Sequence, residues 1–429
     1  VHTIRLTVGL AAAWLAVPAW AQPSPGSAPS ALLATAIENN RDLRAVRQRI
    51  DEARGLLRQA GIRPAPTLEV SGTTGRPLGT VGEEQFGAGI SQTMETAGKR
   101  SKRMQIAEKQ LALAQAEYDE RVRLLRFEVR ARYAEYAADA ERLQIVERLQ
   151  QAYRSSLELM KARVDQGDAA AIERDLLLVE LSRTEAQQTA IAGRILSARV
   201  DLARLAGLQN AQAVDPPVIG PLAGLRLELA EIRQKSLARR PDLRAAEIIR
   251  QQGEAQGLLS QAEGKADVTL SAGYARVYSR FDGQLGFTPA GLPTTLRDRD
   301  DVLTVGVSIP LFARNRNLGN IEAALAMTRA AQYHREFLER SIPLEVESAW
   351  ARFTSARQAY QTLDQTVLRQ AGRNLEVIRA AYQLGHLRLL DVLNEERRLL
   401  DTQMAAVDAK LEVRRGLADL EKASGGELQ

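Results

Sequence analysis

The chain has 429 residues, 58 Lys and Arg against 53 Asp and Glu, a net charge of +5 and no cysteine. The lack of thiols excludes disulfides, thiolate metal sites and a lipid anchor on an N-terminal cysteine. With His2, His334 and His386 as its only histidines, the chain cannot build a histidine metal cluster by itself, and a charge this modest gives no support to nucleic-acid binding.

The first element is a leader. Residues 1–21 read VHTIRLTVGLAAAWLAVPAWA: Arg5 supplies a positive start, Leu6 to Val17 an apolar core, and Ala19-Trp20-Ala21 a small-x-small cleavage site. This is the pattern of a secretory signal peptide, and the apolar run is short for a membrane span. The mature chain is expected to be exported.

Residues 22–209 form a first unit. It opens with helical sequence containing NNRDLRAVR (39–47), then gives two strands near 67–73 (TLEVSGT) and 85–91 (QFGAGIS). In the first strand Leu68 and Val70 alternate with Thr67, Glu69, Ser71 and Thr73; in the second Phe86, Ala88 and Ile90 alternate with Gln85, Gly87, Gly89 and Ser91. Such alternation suits a lipid-facing barrel strand lined by water on its other side, and equally a half-buried sheet of a soluble domain. A helical hairpin near 98–205 follows. From Gly98 to Gln166 there is no proline, and apolar or small residues recur from Tyr118 through Leu125, Tyr133, Val146 and Tyr153 to Val164 at about 3.5 residues per step, the spacing of supercoiled helices. The chain reverses at Gln166-Gly167-Asp168 and returns to Leu205.

Residues 210–227, with Pro216, Pro217, Gly220, Pro221 and Gly224, read as a linker. A second unit, 228–424, then repeats the first. RRPDLRAAE (239–247) restates NNRDLRAVR, strands are predicted near 268–274 and 303–309, and a helical hairpin near 320–423 reverses at Leu384-Gly385-His386. Pro343 predicts a kink or restart of the outgoing helix near Ile342. Residues 281–301 read as an extracellular loop, and 425–429 as a C-terminal tail. A helical hairpin alone could be an ordinary coiled coil, but that does not account for paired strands ahead of both hairpins.

Four strands cannot close a barrel, and open edges in lipid leave backbone groups without partners at several kcal/mol or so each. Association would close it: a dimer would give 8 strands, with little room for a channel, and a trimer 12.

The order of leader, helix, two strands and long hairpin, all duplicated, resembles the TolC-like outer-membrane efflux protein family. The motifs that carry the resemblance are RPDLRAA (240–246), VGVSIPLF (305–312) and YQLGHLRLLDVLNEERRLLDTQ (382–403); GISQTMETAGKRSKR (89–103) looks most like the CzcC-like heavy-metal cation branch. The resemblance implies a mainly α fold with a small β part. Its duplicated strand–strand–hairpin units would form, as a homotrimer, a 12-stranded outer-membrane β-barrel continued by a periplasmic α-helical barrel. It implies a passive exit duct, not an enzyme and without a cofactor, partnered by a periplasmic adaptor protein, an inner-membrane RND-type pump and outer-membrane lipid. The expected cargo is heavy-metal cations of the cobalt/zinc/cadmium or copper/silver type, with multidrug efflux or type I secretion as alternatives within the family and a periplasmic coiled-coil adaptor as the alternative outside it.

The resemblance also places candidate residues. Tyr382, Glu173 and Asp391 match the family's closed-state gate, while Asn394 stands where a second pore acid is expected and Leu387, followed by Arg388, where an arginine is expected. Gly167, Asp168, Gly385 and His386 would form adaptor-docking tips. A single histidine at a tip is read as a surface residue, with no metal site. Lys99, Arg100, Lys102 and Arg103 after the second strand, and Arg314 and Arg316 after the fourth, would meet lipid phosphates at the inner leaflet, unless they are ordinary charged helix starts.

Overall fold

The computed structural model describes residues 29–79, 83–217, 228–311 and 316–428. The leader, residues 218–227 of the linker and Arg314 lie outside them.

The first half contains α1 (Pro29–Asn39), α2 (Arg41–Ala60), β1 (Thr67–Thr73), β2 (Glu83–Met94), α3 (Lys99–Asp165) and α4 (Ala171–Leu205). The second repeats that order with α5 (Leu229–Arg239), α6 (Pro241–Glu263), β3 (Val268–Phe287), β4 (Pro293–Ser308), α7 (Leu318–Thr362), α8 (Leu368–Gln383) and α9 (Leu389–Ser424). Among the described residues no helix is long and apolar enough to cross a membrane. The fold is mainly α with one small sheet.

The chain divides into two compact units. The first comprises residues up to Asn40, Val129–Pro221 and Ala381–Asn394. Its core joins Tyr153, Leu157 and Met160 of α3, Leu177 and Leu181 of α4, and Leu389 and Leu393 of α9. The 3.5-residue spacing on α3 explains this: Tyr133, Val146, Tyr153, Leu157 and Met160 fall on one stripe, and all are buried.

The second unit comprises Arg41–Glu128, Leu222–Ala380 and the segment from Glu395 onward. Its helical core gathers Ile232 of α5, Val346, Ala349 and Phe353 of α7, and Val413, Leu420 and Ala423 of α9. This packing bears on Pro343, where a kink or restart was expected. The helix α7 runs through Pro343 without a restart, because the buried side chains of Ile342 and Val346 hold the turn in place against the lost hydrogen bond and ring clash of an interior proline, about 3 kcal/mol. The helical irregularity falls later, as a π-turn over Leu363–Val367.

The same unit carries the sheet, in the order β1-β2-β3-β4 with every pair antiparallel. Here the structure corrects the reading of 281–301 as a loop. β3 extends to Phe287 and β4 begins at Pro293, leaving 288–292 as the turn. A bulge between Phe281 and Leu285 absorbs Gly283, whose φ is 86°. The glycines and prolines of this stretch resemble loop punctuation, yet they sit at a bulge and at strand ends, where a sheet tolerates them.

Candidate functional site

The two reversals in the first unit are built alike. Gly167 and Gly385 adopt φ of 80° and 77°, in the left-handed region that favours glycine. At the first, the amide of Gly167 donates to Val164 O (3.0 Å) and that of Asp168 to Arg163 O (2.8 Å); at the second, Gly385 donates to Tyr382 O and His386 to Ala381 O, both at 2.9 Å. This double bond pattern is a Schellman ending, which satisfies the last carbonyls of α3 and α8. Gly167, Asp168, Gly385 and His386 are all exposed.

Six residues beyond each glycine, Glu173 and Asp391 stand in the first turns of α4 and α9. Their amides donate to Ala170 O and Arg388 O, each at 3.0 Å, so they hold equivalent helix positions. A carboxylate there is favoured by the positive end of the helix. The Asp391 carboxylate also accepts the Arg388 amide at 3.0 Å, the reciprocal half of a capping box. Asp391 thus has a structural task of its own, which its spacing alone did not reveal. Asn394 is exposed one turn further on, and Tyr382 is half-buried against the Leu177–Leu393 core. The structure brings Tyr382, Glu173 and Asp391 into one unit, but among the described residues no hydrogen bond joins Tyr382 to Glu173.

The basic run after β2, in the second unit, binds inward. Lys99 is buried, donates to Lys265 O at 2.8 Å and pairs with Asp267 at 2.8 Å. Arg100 donates to Gly61 O (2.6 Å), Lys102 to Ala97 O (2.7 Å), and Arg103 pairs with Glu95. Thr96 completes the joint by donating its amide to Asp267 (2.8 Å) and its hydroxyl to Ala266 O (2.6 Å). Burial alone would raise the pKa of Asp267, but the Lys99 ammonium and the Thr96 donors outweigh it and hold the carboxyl below its ordinary value. Lys99 and Thr96 therefore tie the end of β2 to the start of β3, Arg100 ties it to the end of α2, and Lys102 and Arg103 bond within the same segment. The Lys99 acceptor lies 166 residues away in sequence, so this joint is not visible in the run itself. Arg316 is exposed.

The register decides the two faces of the sheet, since directly paired residues of neighbouring strands point the same way. One row reads Leu68–Ile90–Ala272–Val305 and the next Val70–Ala88–Tyr274–Leu303. The opposite face reads Thr67–Ser91–Ser271–Gly306, then Glu69–Gly89–Gly273–Thr304. The apolar face is bare in the single chain, with Leu68 72%, Val70 75%, Val305 76% and Val307 63% exposed. The other face is small and polar. Among the described residues no group of three or more His, Asp or Glu side chains could hold a metal ion.

The sequence reading missed one further paired feature. In the first unit, α1 ends with Asn40 donating to Leu205 O at 2.9 Å, beside Gly207 (φ 68°). In the second, α5 ends with Arg240 donating to Ala423 O at 3.4 Å, beside Gly425 (φ 83°). The signal was present, because Gly207 and Gly425 are as far apart in sequence as Gly167 and Gly385.

Three comparisons bear on this architecture. A model of the family "Outer membrane efflux protein" matches residues 32–208 and 232–426. The cobalt-zinc-cadmium resistance protein CzcC of Cupriavidus metallidurans is 26% identical over 377 residues, covering 87% of this chain and 84% of that protein. The toluene efflux pump outer membrane protein TtgF of Pseudomonas putida is 25% identical over 417 residues, covering 92% and 82%. The solved structure of the outer membrane protein VceC from Vibrio cholerae superposes with a TM-score of 0.71 at 22% identity, covering 94% of this chain and 97% of that one.

Proposed function

The chain belongs to the outer membrane efflux protein family, and on that premise we propose that it forms, as a homotrimer, the passive exit duct of a tripartite efflux system. It lies in the outer membrane and extends into the periplasm. An inner-membrane RND-type pump and a periplasmic adaptor would deliver the substrate to it, with the exposed reversals at Gly167-Asp168 and Gly385-His386 as the adaptor's docking tips.

The register of the sheet carries this reading. A face of Leu, Val, Ile and Tyr backed by a face of Ser, Thr and Gly is what lipid on one side and water on the other require. The outer edges of β1 and β4 have no partner strand among the described residues. Three such sheets side by side close a 12-stranded barrel in which every strand is paired. For the cargo, heavy-metal cations of the cobalt/zinc/cadmium or copper/silver type are the reading we favour. It is supported by the stretch 89–103 and by the similarity to CzcC, although the toluene efflux relative is nearly as similar.

We place the gate at the reversals, with Glu173, Tyr382, Asp391 and Asn394 on the pore side. Glu173 and Asp391 begin equivalent helices, so three copies of each around one axis would form acidic rings that draw cations into the mouth. The Tyr382 hydroxyl and the Glu173 carboxylate, not bonded to each other among the described residues, would meet between neighbouring helices of the assembled trimer. Losing one such contact should shift the gate by about 1.5–3 kcal/mol, tenfold or more.

Purified trimers in planar bilayers test both statements. Tyr382→Phe with Glu173→Gln should raise conductance or open probability. Asp391→Asn, which keeps an acceptor for the Arg388 amide, should lower cation preference. Unchanged conductance and selectivity in intact trimers would put the gate elsewhere. For the cargo, a strain lacking the gene should become sensitive to cobalt, zinc, cadmium or copper salts; sensitivity to organic solvents alone would reassign it.

A further inference from the structure

The halves repeat one another helix by helix as well as strand by strand. In the second unit α2 leads into β1 and α3 leaves β2, just as α6 leads into β3 and α7 leaves β4. Residues 217 apart match in burial between α3 and α7: Ala107 with Ala324, Ala114 with Ala331 and Leu125 with Ile342 are buried in both. This stripe faces the helix of the same half. On α7, Ala324 lies 3.8 Å from where a Cβ on Gly257 of α6 would stand, and Arg335 pairs with Glu247 of α6 at 3.3 Å; on α3, Arg121 pairs with Asp42 of α2 at 2.7 Å.

The two halves meet in one junction, on the opposite side of α3. There β2 pairs with β3, and α3 packs on α6: Ile106 is buried with Ala255 and Leu259, Lys109 donates to Gln251 at 2.8 Å, and Asp119 pairs with Arg244. At about 3.6 residues per turn, Ala116 falls between Lys109 and Asp119 on this face, and it is fully buried. The matching face of α7 is bare. Tyr333, the counterpart of Ala116, is 68% exposed, and Phe337 and Leu344 extend the stripe at 64% and 62%. With Glu336, Arg340 and Ser341 they line a cleft of ≈ 360 Å³. Near the sheet, α3 is thus covered on two sides, whereas α7 keeps one side open.

We propose that α2 of a neighbouring copy of the chain seats on this stripe of α7, so that contacts between copies repeat the α3–α6 junction inside each one. The proposal rests on the trimer reading above and carries it from the sheet to the helices. Two observations choose this occupant. β1 and β4 are the edges of the sheet, so a copy that pairs its β1 with β4 brings the helix entering β1 alongside the helix leaving β4. In addition, α2 has an open face to offer. Ala45, Gln48, Glu52 and Leu56 are exposed along it. Its six arginines against three acids suit aromatic partners, since guanidinium groups stack on aromatic faces. Contact between two different faces is the head-to-tail arrangement that closes rings.

The test uses the lack of natural cysteine, which lets introduced pairs report without background. Full-length protein carrying Tyr333→Cys together with Ala45→Cys, Gln48→Cys or Glu52→Cys is treated in outer membranes with a short bismaleimide. At least one pair should give covalent dimers and trimers on denaturing gels, and none from all three overturns the proposal. Tyr333→Cys alone should give no dimers. Dimers there would mean that two α7 helices face each other, a two-fold contact that cannot build a three-membered ring, and would overturn it as well. In purified protein, Tyr333→Asp with Phe337→Asp should raise the monomer fraction at least about tenfold. Trimers as stable as the wild type would overturn the helix contact and leave the barrel reading in place, whereas a wild type that is not trimeric in native mass spectrometry would remove both. If the aspartate variant does not fold, the cysteine pairs decide.

Discussion

At the end of α1, Asn40 is buried and donates its amide to the carbonyl of Leu205; at the end of α5, Arg240 is buried and donates to the carbonyl of Ala423. Both positions follow the tail of a short helix and precede the Asp-Leu-Arg-Ala shared by the two halves. Both reach the C-terminus of a returning helix, beside a glycine of positive φ. The backbone task is therefore the same, yet one half meets it with a neutral amide and the other with a cation. The cation needs company: Arg240 also binds Asp242, through Nε at 3.0 Å and Nη2 at 2.5 Å, and Glu345 at 2.5 Å. Asp42, the counterpart of Asp242, pairs instead with Arg121 at 2.7 Å. Duplication has preserved the joint and let its electrostatics diverge.

The largest effect should come from breaking the charged joint. Arg240→Ala leaves the carboxylate of Asp242 without its partner and should destabilise the fold by about 3–5 kcal/mol, read by urea unfolding of the purified protein. A loss no larger than that of Asn40→Ala would show that the two joints are energetically alike despite their chemistry. Next is Gly207→Ala. An added Cβ would lie 2.4 Å from Asn39 O on a backbone of φ 68°, so Asn39 or α4 must move, at about 2–3 kcal/mol. The matching Gly425→Ala should cost less, since its closest contact is 3.1 Å. Equal costs would mean that the first joint is the looser one. Asn40→Ala should cost about 1–2 kcal/mol, the loss of one buried hydrogen bond to a carbonyl.

The smallest effect separates the joints by pH. Burial opposes ionisation of Asp242, but the Arg240 guanidinium more than offsets this and holds its pKa below the ordinary value. A lowered pKa means that the stabilisation is fully present above the ordinary carboxylate pKa of about 3.9 and is lost as pH falls through the lower folded value. Thermal unfolding between neutral pH and pH 3 should therefore show a decline that Asp242→Asn reduces. An identical decline in that variant would assign the acid sensitivity to other carboxylates.

Much of the fold was legible because its signals are local and periodic. Alternation at 67–73 and 85–91 marked strands, the apolar stripe from Tyr118 to Val164 marked α3, and Gly167 and Gly385 marked the reversals. The long β3–β4 hairpin was not read, although Arg297-Asp298-Arg299-Asp300 alternates with the period of a strand. Its alternation is of charge sign and not of polarity, and Gly283, Gly286, Pro289 and Gly291 around it imitate a loop. At the candidate gate, spacing brought Glu173 and Asp391 to equivalent helix positions, but it could not show that Asp391 caps its own helix through Arg388.

By itself, the sequence determined the order of the elements, the duplication and the phase of each strand, since these follow from neighbours within a few turns of the chain. The tertiary structure alone decided which charges are free. Lys99 resembles Arg297 in sequence, as a cation near a strand end. One is enclosed by Lys265 O and Asp267, and the other stands open on β4. A cation's availability depends on the acceptors within about 3 Å of it. Those acceptors come from segments that meet only once the sheet is registered and the helices are packed.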